Sequence, residues 1–342
     1  MTLPSEAPRR KIPSWVPQVL GYAIAAASLI WVLHGFPYGE MIPAIQSLDW
    51  KWMVIAVAAD LAIYFAQAWR WKTLLGPVVR LGYWRTTQAL YIGVFANEVL
   101  PLRVGELIRC YLLAHWNDLR LSLSFASAVV ERLIDGVFML LTFILTAAFV
   151  RGIPEDLMLL VQFLGVLLVV GVVILGWVVL HKQHAHAVLS ENRWYATVRH
   201  IIEGLHLMGN RRTMGLTSLL SLLYLAFQIF ATYALMKAYG LDLSFWVAGG
   251  VLAIVRLGTM VPNAPGNVGL VNVATVLALR LFDVELNDAK TFSFIMLFAL
   301  SIPLIIAGAV AVALTGLSIG ELHHRARHGV AASKTAPAAE EP

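Results

Sequence analysis

The sequence is short of cysteine and of charge. A single cysteine, Cys110, stands in 342 residues, which excludes an intrachain disulfide framework and a cysteine-based zinc cluster. Charged residues make up 13% of the chain against 59% hydrophobic ones. There is no Walker loop, no dinucleotide fingerprint, no H-E-x-x-H pair and no nucleophile elbow. Nothing therefore supports ATP hydrolysis, and no cofactor is implied. His181, His184 and His186 have metal-like spacing, but like His323, His324 and His328 they fall in loop sequence, where exposed histidine is the default; no metal is expected.

What the chain does have is length in its apolar runs. Several exceed 18 residues and mean hydropathy is +0.76, which decides for an all-α polytopic membrane protein over a large soluble core. The net charge of +5 resides in loops beside those runs. That is a topology signal rather than a nucleic-acid footprint, so nucleic acid is not an expected partner.

In chain order, 1–14 reads as a cytoplasmic tail and 15–36 as an uncleaved first span. Residues 37–50 read as a loop without Lys or Arg, and 51–69 as a second span with Trp50, Trp52, Trp69 and Trp71 as interfacial anchors. Arg70, Lys72, Arg80 and Arg85 fall in the next loop. Residues 122–150 and 157–181 are spans joined by a turn at 151–156. The segment 182–212 has the pattern of a basic interfacial amphipathic helix. Residues 213–238 and 288–316 span again, and 317–342 form a second cytoplasmic tail.

Two stretches break this rhythm. Within 86–115, Pro101 removes a backbone donor and disfavours a helical Leu100, and the apolar pieces on either side are too short to cross alone. Within 244–284, Pro262 to Gly269 interrupt a second apolar stretch. Both read as re-entrant helical hairpins. The loop charges put both termini in the cytoplasm, with about six full spans, if the first hairpin enters from the cytoplasm and the second from outside. Opposite insertion of two broken segments is the mark of an inverted repeat. An internal echo agrees: residues 101–105 and 265–269 share Pro-x-x-Val-Gly.

The charges of interest sit at these breaks. Arg103, Glu106 and Arg109 recur every three residues on one helix face, beside a helix N-terminus that points into the membrane. Two guanidiniums there suit a phosphate, and the unpaired surplus on this face is cationic. The alternative is an internal ion cluster that locks the hairpin. Glu131, Arg132 and Asp135 can pair locally, or the acids can reach Arg103 or Arg109 across helices. Asp60 is a lone mid-span acid, open to a proton-relay role or to a packing hydrogen bond. Asn97 and Glu98 flank the first break, and Arg256, Asn263, Asn267 and Asn272 form the polar set of the second.

Asn97-x-x-Leu100-Pro101-x-Arg103-x-Gly105-Glu106-x-x-Arg109, then Glu131-Arg132-x-x-Asp135, then Pro262-x-x-Pro265-Gly266-x-x-Gly269 resemble the signature of the lysylphosphatidylglycerol synthase transmembrane-region family, whose members are also called flippase-like domain proteins. The resemblance covers about 15–316 and implies inverted re-entrant hairpins and the handling of lipids. Where the family often reads Pro-Gly-Gly-x-Gly-x-x-Glu, this chain has Asn267 and Asn272, so an acid is missing. The soluble aminoacyl-transfer domain of full synthases is not seen, and lysyl-lipid synthesis is not implied. The expectation is a multi-pass protein of the bacterial inner membrane that flips an anionic or polyprenyl-linked lipid. The alternatives are an integral-membrane lipid-modifying transferase and a non-catalytic scaffold for lipid-pathway enzymes.

Overall fold

The computed structural model describes residues 16–100, 104–149, 210–260 and 265–315, with Met208 and short pieces between 158 and 173. Both tails, Arg103, Asn263, the turn 151–156, the six loop histidines and most of 182–212 lie outside the described residues. Within them the chain forms α1 (Val16–Leu33), α2 (Tyr38–Gln46), α3 (Trp50–Leu75), α4 (Tyr83–Val99), α5 (Gly105–Trp116) and α6 (Leu121–Phe149). After these come α7 (Arg211–Tyr239), α8 (Phe245–Gly258), a 3-10 turn (Pro265–Asn267), α9 (Leu270–Arg280) and α10 (Leu286–Thr315). There is no strand among the described residues.

Helices α3, α7 and α10 are long and apolar enough to cross a membrane. Their outer faces carry Val54, Leu219, Leu222, Ile302 and Ile306, all exposed. So much uncovered apolar surface fits a lipid solvent and not water. α3 and α7 run antiparallel along their length. At one end the Asp49 N–H donates to the Ala238 carbonyl at 2.9 Å, and at the other Arg70 reaches Ser221. The buried faces are rich in small residues, Ala56, Ala59 and Ala66 on α3 and Thr217, Ser221 and Ala231 on α7. Lipid offers no hydrophobic drive between helices, so close backbone approach through small side chains has to supply the packing.

The structure departs from the sequence reading in two places. The stretch 37–50 contains α2 rather than being all loop. Helix α3 runs on to Leu75, capped by Gly76, and takes Arg70 and Trp71 with it. Both side chains are fully buried. Trp71 is therefore a core residue and not an interfacial anchor, and Arg70 is not a loop charge. Leu74 and Leu75, also fully buried, hold this last turn in the core.

Both interrupted stretches fold as helical hairpins. In the first, α4 ends at Leu100, whose extended backbone (φ −105°, ψ 145°) is the geometry favoured before a proline. Helix α5 then returns along α4 at very close range. A Cβ on Gly93 would lie 2.8 Å from both the Cβ of Arg109 and the Gly105 carbonyl oxygen, and a Cβ on Gly105 would overlap the Gly93 carbonyl oxygen. In the second, Gly258 of α8 packs on Ala274 of α9. The tips of the two hairpins meet. Gly266, at φ +64°, presents its bare Cα to the Glu98 carboxylate, where a Cβ would come to 3.1 Å.

The Gly93–Gly105 contact makes a direct prediction. Gly105→Ala should lower the unfolding temperature in detergent, by the equivalent of about 1–3 kcal/mol of overpacking. Gly215→Ala, on α7 with nothing within 4 Å of the added Cβ, should be neutral or slightly stabilising, because alanine is the better helix former.

Candidate functional site

Six charged side chains from three helices close into a ring inside the bundle. Arg70 on α3 donates from Nε to Glu131 Oε1 at 3.2 Å, and its two terminal nitrogens grip the Asp135 carboxylate. Glu131 Oε2 accepts from Arg109 Nη1 at 3.3 Å, so this one acid joins α3 and α5 through α6. Arg109 Nε donates to Glu106 Oε2 at 2.9 Å, and Glu106 Oε1 accepts from Arg132 Nη2 at 2.6 Å. Arg132 closes the circuit with Asp135 at 3.7 Å. Arg70 and Glu131 are fully buried, whereas Glu106 and Arg132 are 40% and 49% exposed.

The aromatic floor is part of the arrangement. The Arg70 guanidinium lies 4.6 Å over the Tyr224 ring, and that of Arg109 lies 4.7 Å over Trp71. Trp71 Nε1 donates to Ser127 Oγ at 2.8 Å, and Arg70 also donates to Ser221 Oγ at 3.1 Å. Arginine suits these places because its planar fork can stack on a ring while serving two acids. The ring holds three arginines and three acids. The cationic surplus expected on the 103–109 face is thus matched, within the described residues, by Glu131 and Asp135 arriving from α6.

The start of α5 is also less open than the sequence suggested. Asn97 Oδ1 accepts from the Gly105 N–H at 2.8 Å, filling one of the N-terminal donors from the opposite arm of the hairpin. In the second hairpin an asparagine does this locally: Asn272 Oδ1, in the first turn of α9, accepts from the Gly269 N–H at 3.2 Å. The Asn272 amide also donates to Ser293 Oγ, whose own proton is used on the Lys290 carbonyl. A carboxylate has no proton to give at that point, so the asparagine found in place of the family's acid is matched to its surroundings.

Between the hairpins lies a cavity of about 380 Å³. Its wall takes Glu106, Arg109, Arg132 and Asp135 from the ring, and Asn97, Glu98, Arg256 and Asn267 from the two hairpins. Arg256 donates to Gln228 Oε1 at 2.6 Å. Among the described residues the charged part of the wall is balanced, with Arg109, Arg132 and Arg256 against Glu98, Glu106 and Asp135. Asp60 stands behind it on α3, feeling the charges of Arg256 and Glu98, and its buried Oδ2 has no hydrogen-bond partner among the described residues. Asp60 is not part of the cavity wall; Tyr64, one turn along, is.

The structure therefore gathers Asn97, Glu98, Glu106, Arg109, Glu131, Arg132, Asp135, Arg256 and Asn267 into one region. Sequence reasoning missed Arg70, Trp71, Ser221, Tyr224 and Gln228. A signal for Arg70 was there: it continues the buried stripe Ile63, Ala66 and Leu74 at spacings of three and four.

The unequal burial of the ring sets an order of effects. Arg70→Gln leaves Glu131 and Asp135 short of their shared partner and should cost about 3–5 kcal/mol. Arg132→Gln, at the half-exposed side, should cost about 1 kcal/mol or less. Thermal unfolding of the purified variants checks the ranking, and equal losses would contradict a buried hub.

No solved structure matches the chain. It is similar to a UPF0104 membrane protein of Methanocaldococcus jannaschii, 24% identical over 216 residues that cover 60% of this chain and 87% of that protein. A UPF0104 membrane protein of Methanothermobacter thermautotrophicus is 22% identical over 276 residues, covering 75% of this chain and 79% of the relative. The family model described as the lysylphosphatidylglycerol synthase TM region matches residues 18–308, almost the whole of the described helical body. The chain is an integral membrane protein and belongs to that family.

Proposed function

We propose that this protein translocates an anionic or polyprenyl-linked lipid between the leaflets of a bacterial plasma membrane, with the headgroup passing through the cavity between the two hairpins. The observation that carries the reading is the cavity itself: a charged, hydrogen-bonding space of about 380 Å³ bounded by two interrupted helix pairs in an otherwise apolar bundle. Polar groups at membrane depth are expensive and commonly mark a substrate path. Broken helices meeting near a midplane are the form such paths take in transporters. The two hairpins support an inverted repeat. Gly105 is the first residue of α5 and Gly269 the N-cap of α9, so the Pro-x-x-Val-Gly echo falls within one residue of the start of each.

On this reading the headgroup is held by Arg132 and Arg256, the cavity arginines outside the buried hub. Arg109 donates to Glu106 through Nε and to Glu131 through Nη1, and on this reading it is a brace. The described part of the wall is balanced in charge, so its attraction for phosphate is local and geometric rather than a matter of net field. The family's printed name refers to a lipid synthase; the present reading takes from it only the handling of a lipid.

Both hairpins are re-entrant in this scheme, with six full spans and both termini in the cytoplasm. The loop between α7 and α8 is then extracellular. Asp242 in that loop is 96% exposed. In a Cys110→Ala background, Asp242→Cys should be labelled by an impermeant maleimide on intact cells. Labelling only after the cytoplasm is opened would reverse the topology.

A leaflet-flip assay in liposomes tests the function. Arg256→Gln should slow flipping of a phosphate-headed fluorescent lipid about tenfold, the loss of roughly one charge-assisted contact. Lys237→Gln, at the surface pair with Asp242, should leave the rate unchanged. Wild-type rates for a well-folded Arg256→Gln protein would remove the cavity from the path.

A further inference from the structure

The polar cavity continues into a second space of different character. A groove of about 340 Å³ is lined by Leu133, Leu140, Phe143, Leu168, Ala253 and Leu257. Four residues, Arg132, Gly136, Met139 and Met260, belong to the walls of both. Among the described residues Arg132 is the one charged residue on the groove wall. At the junction it is 49% exposed, while one hydrogen bond to Glu106 and a longer ion pair to Asp135 occupy only part of a guanidinium with five donors. Gly136 lets Leu168 lie directly on α6, since a Cβ there would come within 2.8 Å of it. The neighbouring Phe163 and Val166 are exposed, so this outer wall faces the bilayer.

We infer that cavity and groove form a single amphipathic site, in which a lipid phosphate binds Arg132 at the junction and one hydrocarbon chain of the same lipid lies in the groove. The inference rests on the lipid-handling reading above and adds to it the ligand's shape and its contact residue. The wall chemistry argues for this occupant. An apolar space that opens beside a bilayer is filled most cheaply by hydrocarbon, and a ligand reaching from it past Arg132 must end in a group an arginine can hold. Its volume falls in the range of about 300–1,000 Å³ typical of small-molecule sites. Met139 and Met260, on both walls, are unbranched side chains that adapt to chains of varied shape. The phosphate does not need an empty cation waiting for it. It takes over donors of Arg132 that Glu106 and Asp135 leave spare, and the rest of the ring stays closed.

Photo-crosslinking tests the inference without requiring transport. The full chain is placed in phosphatidylcholine nanodiscs with a trace of long-chain alkyl phosphate carrying a diazirine near the tail end. A second arm uses the alcohol of the same chain, and a third adds excess inorganic phosphate. After irradiation, adducts should concentrate on peptides containing Leu140, Leu168 and Leu257. The phosphate probe should label them severalfold more than the alcohol, and inorganic phosphate should compete poorly because it lacks the tail. Leu257→Trp, which fills the groove and leaves the ring intact, should abolish this labelling. Arg132→Gln should bring the phosphate probe down to the level of the alcohol. Adducts spread evenly over bilayer-facing positions such as Phe298, Ile302 and Ile306, or equal labelling by both probes, would overturn the inference. Groove labelling in a protein that does not flip lipid would leave the inference standing and overturn translocation. Flipping with no groove labelling would do the reverse.

Discussion

Glu131 is the contact on which the rest of the interior depends. It is fully buried, and each of its two oxygens takes an arginine from a different helix. Moving one such charge out of water costs several kcal/mol after relaxation, and attraction to a single partner often fails to recover that. A closed circuit changes the balance, because each charge faces two of opposite sign and every guanidinium serves two acids. Lysine could not replace Arg70 or Arg109 here: a point charge on a flexible stem neither bridges two carboxylates in one plane nor stacks on Tyr224 or Trp71. The arrangement therefore stands or falls as a unit. It fixes α3, α5 and α6 against one another, and α7 through Ser221 and Tyr224.

That circuit in turn requires the first hairpin to be narrow. Arg109 reaches Glu131 only because α5 lies hard against α4, and this closeness is permitted by Gly93 and Gly105, where the two backbones touch. Asn97 then does from across the hairpin what a local cap would do, supplying an acceptor to the Gly105 N–H. The glycines, the asparagine and the arginine of the 93–109 stretch are parts of one geometry: small residues for approach, an amide for the orphan donor and a charge for the far helix. The second hairpin uses the same vocabulary without a charge ring, with Gly258 on Ala274 and Asn272 on the Gly269 N–H.

Much of this was legible in the sequence because it depends on local chemistry. Proline at 101 and the Pro262–Gly269 run announce helix breaks, and three-residue spacing puts Glu106 beside Arg109. What stayed hidden was the partner across space. Arg70 sits among Lys72, Arg80 and Arg85 with no acid nearby, a pattern that reads as a cytoplasmic loop. Charge alone cannot tell an arginine that reaches out to the headgroups from one that turns inward. The deciding feature is the helical stripe through Ile63 and Ala66, and the burial of Leu74 and Leu75 that carries α3 past the expected membrane edge. The apparent cationic surplus has the same origin: that Glu131 and Asp135 could reach Arg103 or Arg109 across helices was open, but sequence spacing cannot show that they do.

Neutrality bears on what such a site can do. A cavity holding unpaired arginines would bind a phosphate tightly and release it slowly, whereas a path needs binding strong enough to enter and weak enough to leave. On the translocation reading the ring meets that requirement by dividing its arginines. Arg70 and Arg109 are buried, each between two acids, so they hold the scaffold. Arg132 is half-exposed and paired with Glu106, with donors to spare. A headgroup arriving there shares Arg132 with an existing acid, whose repulsion of the phosphate offsets part of the new contact. The ligand can then be passed onward without leaving a bare charge behind, because Arg132 stays paired with Glu106 as the phosphate departs.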